Sequence, residues 1–194
     1  SALSVIEAIN QAGDVQTLNV HLNSPGGDVF EGRAIMAALA AFRGKTVAHI
    51  DSLCASAATS IALACNEIRM AEGAFFMIHN ASGFAWGDKT ELRNTADVLE
   101  KIEGAIVNDY TSRTGKPEQE IRDKMQAETW FTAQEALDYG FVDSITDKST
   151  AKNTWNLSAF ANPPKPEPPP PDTPQNATEP ATEACFFMSA ANAN

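Results

Sequence analysis

Alternating and helically spaced apolar residues predict repeated strand–helix units along the first part of the chain. Leu18, Val20 and Leu22 alternate with polar residues, which predicts a strand with one buried face. A helical stripe then runs from Val29 to Phe42, and alternation resumes at Val47. Strand–helix–strand units close as right-handed crossovers, so they favour a mainly parallel sheet flanked by helices. The predicted fold class is α/β.

The same periodicities predict the remaining elements. Thr132 and Glu135 form a capping-box pattern, which predicts that a helix begins at Ala133. A helix from Lys89 to Thr114 is longer than a core of this size needs, so we expect part of it to project and pack on another subunit. Other predicted elements are the helices Ser1–Ala12, Pro117–Met125 and Ala133–Tyr139 and the strands Ala74–His79 and Phe141–Ile145.

The C-terminal part of the chain has a different composition. Nine of the eleven prolines lie between Asn162 and Pro180, which favours an extended conformation and opposes a packed fold. We therefore predict one folded domain over residues 1–147 and a linker with a disordered tail over residues 148–194. Within the tail, Cys185 to Met188 are expected to form a weakly sticky apolar segment.

Charge and cysteine content exclude several classes of function. A net charge of -11 with 14 Lys and Arg residues argues against nucleic acid or an anionic membrane as a partner. No apolar stretch approaches a bilayer span and no signal-peptide pattern is present, so we expect a soluble protein of the cytoplasm. The three cysteines show no metal-ligand spacing, so no metal site is expected. No cofactor is expected either.

The stretch from Val47 to Cys65 is the first candidate for chemistry. It reads as a strand, a tight turn at Ser52–Ala55 and a helix of small residues, which places Ser56 at the helix start. The first-turn N–H groups of a helix stabilise negative charge, so a serine there can act as a nucleophile. Serine is also a favoured N-cap, and nearby Cys54 is a rival nucleophile, although small buried cysteines usually serve packing.

Two other segments carry side chains or backbone groups suited to a site. Gly26 and Gly27 follow a predicted strand, and their turn can direct bare N–H groups at a ligand. His79 closes the next strand after the Ser56 helix, at a position where α/β sheets place functional side chains. The competing interpretation of Gly26 and Gly27 is an ordinary tight turn, and that of His79 is a structural histidine. Of the other two histidines, His21 is predicted to lie on the surface and His49 to be structural.

Four motifs together resemble one enzyme family. They are NSPGGDVFEGRAI, ASAA around Ser56, MIHN around His79 and ETWFTAQEALDYGFVD, and they cover about Ser1 to Asp147. Their order and spacing resemble those of the proteolytic subunit of the Clp protease. The residues within the motifs are most similar to those of the ClpP-like head-maturation proteases of phages and prophages. The resemblance implies a ClpP/crotonase-like spiral of strand–helix units and a serine endopeptidase acting through an acyl-enzyme.

The resemblance also assigns roles to individual residues. Ser56 matches the nucleophile and His79 the general base, while the backbone N–H groups of Gly27 and Ala57 match the oxyanion hole. Glu128 matches the third member of the triad, where the family usually has aspartate. The extra methylene displaces the carboxylate by over ~1 Å unless the backbone compensates.

Asp123 and Asp143 remain fallback carboxylates for this third role, and a purely structural role for Glu128 stays open.

Assembly and partners follow from the resemblance as expectations. It implies a homo-oligomer, commonly a heptameric ring or double ring, with Gly83 to Gly87 and the long helix as the handle between rings. The substrate would be a polypeptide, and the resemblance implies an ATPase unfoldase as a possible partner. No nucleotide-binding GxxxxGK[ST] motif is present, so any ATP dependence would belong to that partner. The family has a strand and flexible segments before the first helix, so we expect that this segment was trimmed or lost.

Three alternative functions remain open at this point. One is a housekeeping Clp peptidase that works with an ATPase. Another is a catalytically inactive, ring-forming scaffold in which Glu128 cannot orient His79. The third is an enoyl-CoA hydratase or isomerase, which uses a related pair of N–H groups but does not need the Ser/His pair.

Overall fold

The computed structural model describes residues 1–151 and 155–164, together with the backbone of residues 184–188. Helices and strands alternate along most of this length, as the periodicity predicts. Among these residues the elements are α1 (Ala2–Ala12), β1 (Thr17–Ser24), α2 (Val29–Ala40), β2 (Lys45–Ala55), α3 (Ala57–Leu63), β3 (Glu67–Ala71), β4 (Phe75–Ile78), α4 (Lys89–Thr114), α5 (Glu118–Gln126), β5 (Thr129–Thr132), α6 (Ala133–Tyr139), β6 (Ser144–Thr146) and β7 (Ala184–Met188).

Strand β2 is the centre of the sheet. It pairs in parallel with β1 on one edge, while its other edge pairs first with β3 and then, from Leu53 onward, with β4. Strand β5 is antiparallel to β4, and β6 joins β3. One long strand therefore serves two different neighbours along one edge, and the sheet curls around it. The predicted α/β fold class is confirmed.

The core forms where the alternation places it. Leu18, Val20 and Leu22 are at most 2% exposed and belong to the main apolar cluster, which α1, α2 and α3 also line. Burying a leucine of this kind stabilises the fold by about 1.5–3 kcal/mol. The opposite face of the sheet carries the half-buried His21 and His49, whose rings stack at 4.7 Å.

Two predicted boundaries are wrong. A turn was expected at Ser52–Ala55, but β2 continues to Ala55 because Cys54 and Ala55 pair with β4. The strand predicted to start at Phe141 begins at Ser144, because the N–H groups of Phe141 and Val142 donate to the Ala136 carbonyl oxygen of α6 instead of to a neighbouring strand. Because β2 extends to Ala55 and α3 begins at Ala57, the chain passes from strand to helix through a single residue, Ser56.

The long helix α4 has the predicted bounds. It begins with a capping box formed by Asp88 and Glu91, and it ends at the left-handed Gly115. Its C-terminal part is buried, and the Tyr110 hydroxyl lies 2.6 Å from Thr59 Oγ1 of α3. Its N-terminal part is largely exposed, which is consistent with a projecting helix.

Parts of the predicted tail contact the folded domain. Residues 155–164 pack beside β4 and β5, and the backbone of β7 pairs in parallel with β1. Residues 165–180 of the proline-rich stretch lie outside the described residues, as do the side chains of the predicted sticky segment. The domain boundary at residue 147 stays a prediction.

None of the helices in the described part of the chain combines the length and apolarity that a membrane span requires.

Candidate active site

The turn at Ser56 has an unusual backbone conformation. Ser56 has φ 55°, a region that residues with a Cβ atom rarely occupy. The turn is held because the Ser56 N–H donates to the Met77 carbonyl oxygen of β4 at 3.0 Å. Such strained residues persist only where the surrounding structure fixes them, and they are common at active sites. The turn directs the Ser56 hydroxyl away from β2 and toward the end of β4.

The end of β4 supplies the second group of the site. His79 Nε2 lies 2.7 Å from Ser56 Oγ, within the range for proton transfer between a nucleophile and its base. Burial lowers the pKa of His79, and the nearby Glu128 carboxylate opposes this in part. The imidazole is therefore neutral at pH 7 and able to accept the serine proton.

The glycine loop packs directly against the Ser56 turn. A Cβ atom on Gly26 would lie 2.6 Å from the Ala55 carbonyl oxygen and 2.7 Å from Ser56 Cβ, so no side chain fits there. Gly27 has φ 148°, and a Cβ atom on it would meet nothing within 4 Å. Gly26 thus provides the close contact, whereas Gly27 faces open space in which a substrate carbonyl can lie.

Two backbone N–H groups are available beside this space. The N–H of Gly27 donates to no acceptor among the residues that the structure describes. Ala57 is the first residue of α3, and the N–H groups of a first helical turn have no intrahelical partner. Asp28 caps α2 by accepting from the N–H groups of Phe30 and Glu31, which fixes the loop as it enters that helix.

The Glu128 carboxylate is held by neighbours other than His79. Its oxygens accept from the Trp130 indole N–H at 3.2 Å and from the backbone N–H groups of Ala161 at 2.8 Å and Asn162 at 2.6 Å. Burial raises the pKa of Glu128, but these hydrogen bonds outweigh it and the pKa is lowered. Within residues 1–151 and 155–164, Glu128 makes no hydrogen bond to His79, so its triad role stays a prediction.

The fallback carboxylates have other partners. Asp143 Oδ2 accepts from the Ile68 N–H at 2.7 Å and pairs with Arg113 at 2.8 Å. Asp123 Oδ1 accepts from the Gln119 side chain at 2.9 Å. None of the three carboxylates is hydrogen-bonded to His79 in the described part of the chain, but Glu128 is the one whose charge raises the pKa of His79. Glu128 therefore remains the better candidate.

Comparison with known proteins decides the family. The model of the Clp protease family matches residues 1–149. The chain belongs to this family. The ATP-dependent Clp protease proteolytic subunit of Porphyromonas gingivalis is 28% identical over 73% of this chain and 64% of its own length. Proteolytic subunit 2 of Thermobifida fusca is 31% identical over 66% of this chain and 64% of its own length.

The solved structures show the same fold. A point mutant of ClpP1 from Listeria monocytogenes superposes with a TM-score of 0.69 at 22% identity, covering 76% of this chain and 84% of that one. The chain spans slightly under two thirds of the length of the two curated Clp relatives, at 64% in each case.

A segment beyond the Clp family match crosses the site. We call residues 155–162 the strap. At one end the Trp155 indole donates to Asn23 Oδ1 at 2.8 Å, near the glycine loop, and at the other end the strap holds Glu128. Between them the Phe160 ring lies 5.7 Å from the His79 ring. Sequence reasoning assigned the strap to the linker, although its large apolar residues were a signal for packing.

The remaining candidates lie outside this Clp-family site. His21 pairs with Asp51 at 3.0 Å, and His49 Nε2 lies 3.0 Å from Asn19 Oδ1. Cys54 is fully buried, which raises the pKa of its thiol and leaves it unreactive. No group of three or more His, Cys, Asp or Glu side chains within the described ranges is arranged to hold a metal ion.

Substitution of Gly26 by alanine is expected to disrupt the Ser56 turn. The added Cβ collides with fixed backbone, and overpacking of this kind costs about 1–3 kcal/mol. Gly73→Ala is the matched control, because Gly73 also has positive φ (83°) but has nothing within 4 Å of an added Cβ. Denaturant unfolding should show a larger loss for Gly26→Ala than for Gly73→Ala. Equal losses would mean that the contact does not constrain the turn.

Proposed function

We propose that this chain is a ClpP-type serine endopeptidase. The observation that carries the proposal is the 2.7 Å contact between Ser56 Oγ and His79 Nε2 at a strained strand-to-helix turn. Membership of the Clp protease family supports it, because the family match over residues 1–149 includes both Ser56 and His79.

The geometry suits acyl transfer. Ser56 Oγ attacks the scissile carbonyl carbon while His79 takes the hydroxyl proton, and His79 then returns that proton to the leaving amine. The developing oxyanion is stabilised by the N–H groups of Gly27 and Ala57. Water, deprotonated by His79, then hydrolyses the acyl-enzyme and releases Ser56.

Loss of the Ser56 hydroxyl should abolish cleavage. We expect Ser56→Ala to lower the rate on an unfolded polypeptide by at least about 10⁴-fold, as measured by chromatography of the products. Cys54→Ala is the control, because it removes the rival nucleophile two residues away and should leave cleavage intact. Full activity in Ser56→Ala, or its loss in Cys54→Ala alone, would refute the assignment.

The pH dependence should report the buried histidine. Only neutral His79 accepts the serine proton, and burial lowers its pKa from the ordinary value of 6.5. The kcat/KM for a peptide should therefore fall with decreasing pH along a limb centred below 6.5. His21→Gln should keep this limb, and a limb centred above 6.5 in the unaltered chain would contradict a desolvated base.

The biological setting of the peptidase is also a proposal. The residue sequence of the motifs favours a role in the maturation of phage heads or the processing of their scaffold. A housekeeping Clp role is the alternative. The curated relatives carry the name ATP-dependent, so a housekeeping role implies an unfoldase partner. Stimulation of cleavage by a Clp unfoldase distinguishes the two, because a head-maturation enzyme does not require it.

One observation favours a second candidate, an inactive ring-forming scaffold. Glu128 is hydrogen-bonded to Trp130, Ala161 and Asn162 rather than to His79. A base that no carboxylate orients is a weak catalyst. Complete absence of peptide-bond cleavage by the full chain would favour this scaffold.

We propose that the chain assembles into rings that pair through α4. In the loop before this helix, Phe84 and Trp86 are 90% and 88% exposed, and Leu92 and Val98 on its first turns are about half exposed. Large apolar side chains at such exposure indicate an interaction surface.

Removing the two aromatic side chains should separate paired rings. Sedimentation of the unaltered chain is expected to give a particle of many 20.7 kDa subunits. The double variant Phe84→Ser/Trp86→Ser should halve that mass, because apolar burial between the rings is lost. An unchanged mass would exclude this surface as the contact between rings.

A further inference from the structure

The strap contacts both His79 and Glu128, the two residues that the triad would join. It is anchored to Asn23 beside the glycine loop and to Glu128 beside β5, and these two anchors lie on either side of the Ser56–His79 pair. It extends beyond residues 1–149, which the family model matches. Family membership therefore does not account for it.

Both oxygens of Glu128 are engaged by strap backbone. Oε2 accepts from the Ala161 N–H, and Oε1 accepts from the Asn162 N–H and the Trp130 indole. Two of these three donors are peptide groups, whose positions are set by the path of the strap. Turning the carboxylate toward His79 breaks these hydrogen bonds unless that path changes.

Aromatic packing holds the strap in this path. The Phe160 ring meets the His79 ring at 5.7 Å and the Trp130 ring edge-on at 5.4 Å. With Trp155 and Leu157, it packs on a small apolar cluster of buried residues, Leu53, Ala55 and Met77. Phe160 directly precedes the two residues whose N–H groups bind Glu128, so its side chain controls where they lie.

We propose that the strap is an autoinhibitory segment that keeps the Glu128 carboxylate away from His79. The proposal rests on the peptidase function proposed above. Release of the strap frees the carboxylate to accept the Nδ1 proton of His79, which stabilises the imidazolium formed when Ser56 is deprotonated. The strapped chain has the nucleophile and base in contact, but its third residue is withheld.

The test is Phe160→Ala in the full-length chain. Phe160 is partly exposed, so its truncation should loosen the strap without unfolding the domain. The pKa of His79, followed by NMR of its ring protons, should rise because a freed carboxylate faces the imidazole. Acylation by p-nitrophenyl acetate, followed by p-nitrophenol release, should accelerate by about 10-fold or more.

Two further variants isolate the cause. Phe160→Tyr keeps the aromatic ring, so it should behave as the unaltered chain does. Glu128→Gln in the Phe160→Ala background removes the charge, so it should abolish the acceleration and make the rise in the pKa of His79 smaller. The rise that is left measures the burial lost with the Phe160 ring. Acceleration that survives Glu128→Gln would show that the strap only limits access, and it would overturn the proposal.

The remaining outcomes are also decisive. Slower acylation or an unchanged His79 pKa in Phe160→Ala would mean that the strap supports the site or is irrelevant to it, and either result overturns autoinhibition. If no variant is acylated, the peptidase function fails, but the NMR titration still shows whether the strap separates Glu128 from His79. With three histidines in the chain, His79→Gln assigns the relevant resonance.

Discussion

The site depends on one contact, the hydrogen bond between Ser56 Oγ and His79 Nε2. It exists because β2 runs without a loop into α3, so that a single residue at positive φ makes the change of direction. The Ser56 N–H ties that residue to β4, the strand that His79 directly follows. Sheet pairing therefore places the Ser56 hydroxyl and the His79 imidazole together, and neither depends on a long flexible loop.

Two surrounding segments act on this contact in different ways. The glycine loop packs closely against the turn at Gly26 and leaves Gly27 beside open space. The strap packs against the His79 ring, and its backbone binds the Glu128 carboxylate. Preorganised donors favour the transition state, whereas a diverted carboxylate weakens the base. In the proposed peptidase, the fold would therefore hold a nearly complete site in a restrained state.

The periodicity of apolar residues predicted the alternating helices and strands of this molecule. Helical spacing and Gly115 predicted the bounds of α4, and a capping box and Gly140 predicted those of α6. The parallel order of β1 and β2 follows from alternation around α2. The motifs predicted that Ser56 and His79 belong to one site, and the structure brings these two side chains into contact. The roles of Gly27, Ala57 and Glu128 stay predictions.

The partners of Glu128 were not predictable from sequence. They include Ala161 and Asn162, which lie more than thirty residues further along the chain and act through backbone groups. Backbone N–H groups carry no residue-specific signal, and the neighbouring prolines predicted an extended linker. Only the aromatic residues Trp155 and Phe160 marked this segment as one that packs.

The most direct test of the central claim is the intact mass of the full-length chain after treatment with a fluorophosphonate, followed by peptide mapping. A serine activated by a neutral imidazole reacts with this probe, whereas the other serine hydroxyls of a folded protein do not. The account predicts one adduct per chain, located on Ser56. No adduct under prolonged treatment, or an adduct on another residue, would contradict it.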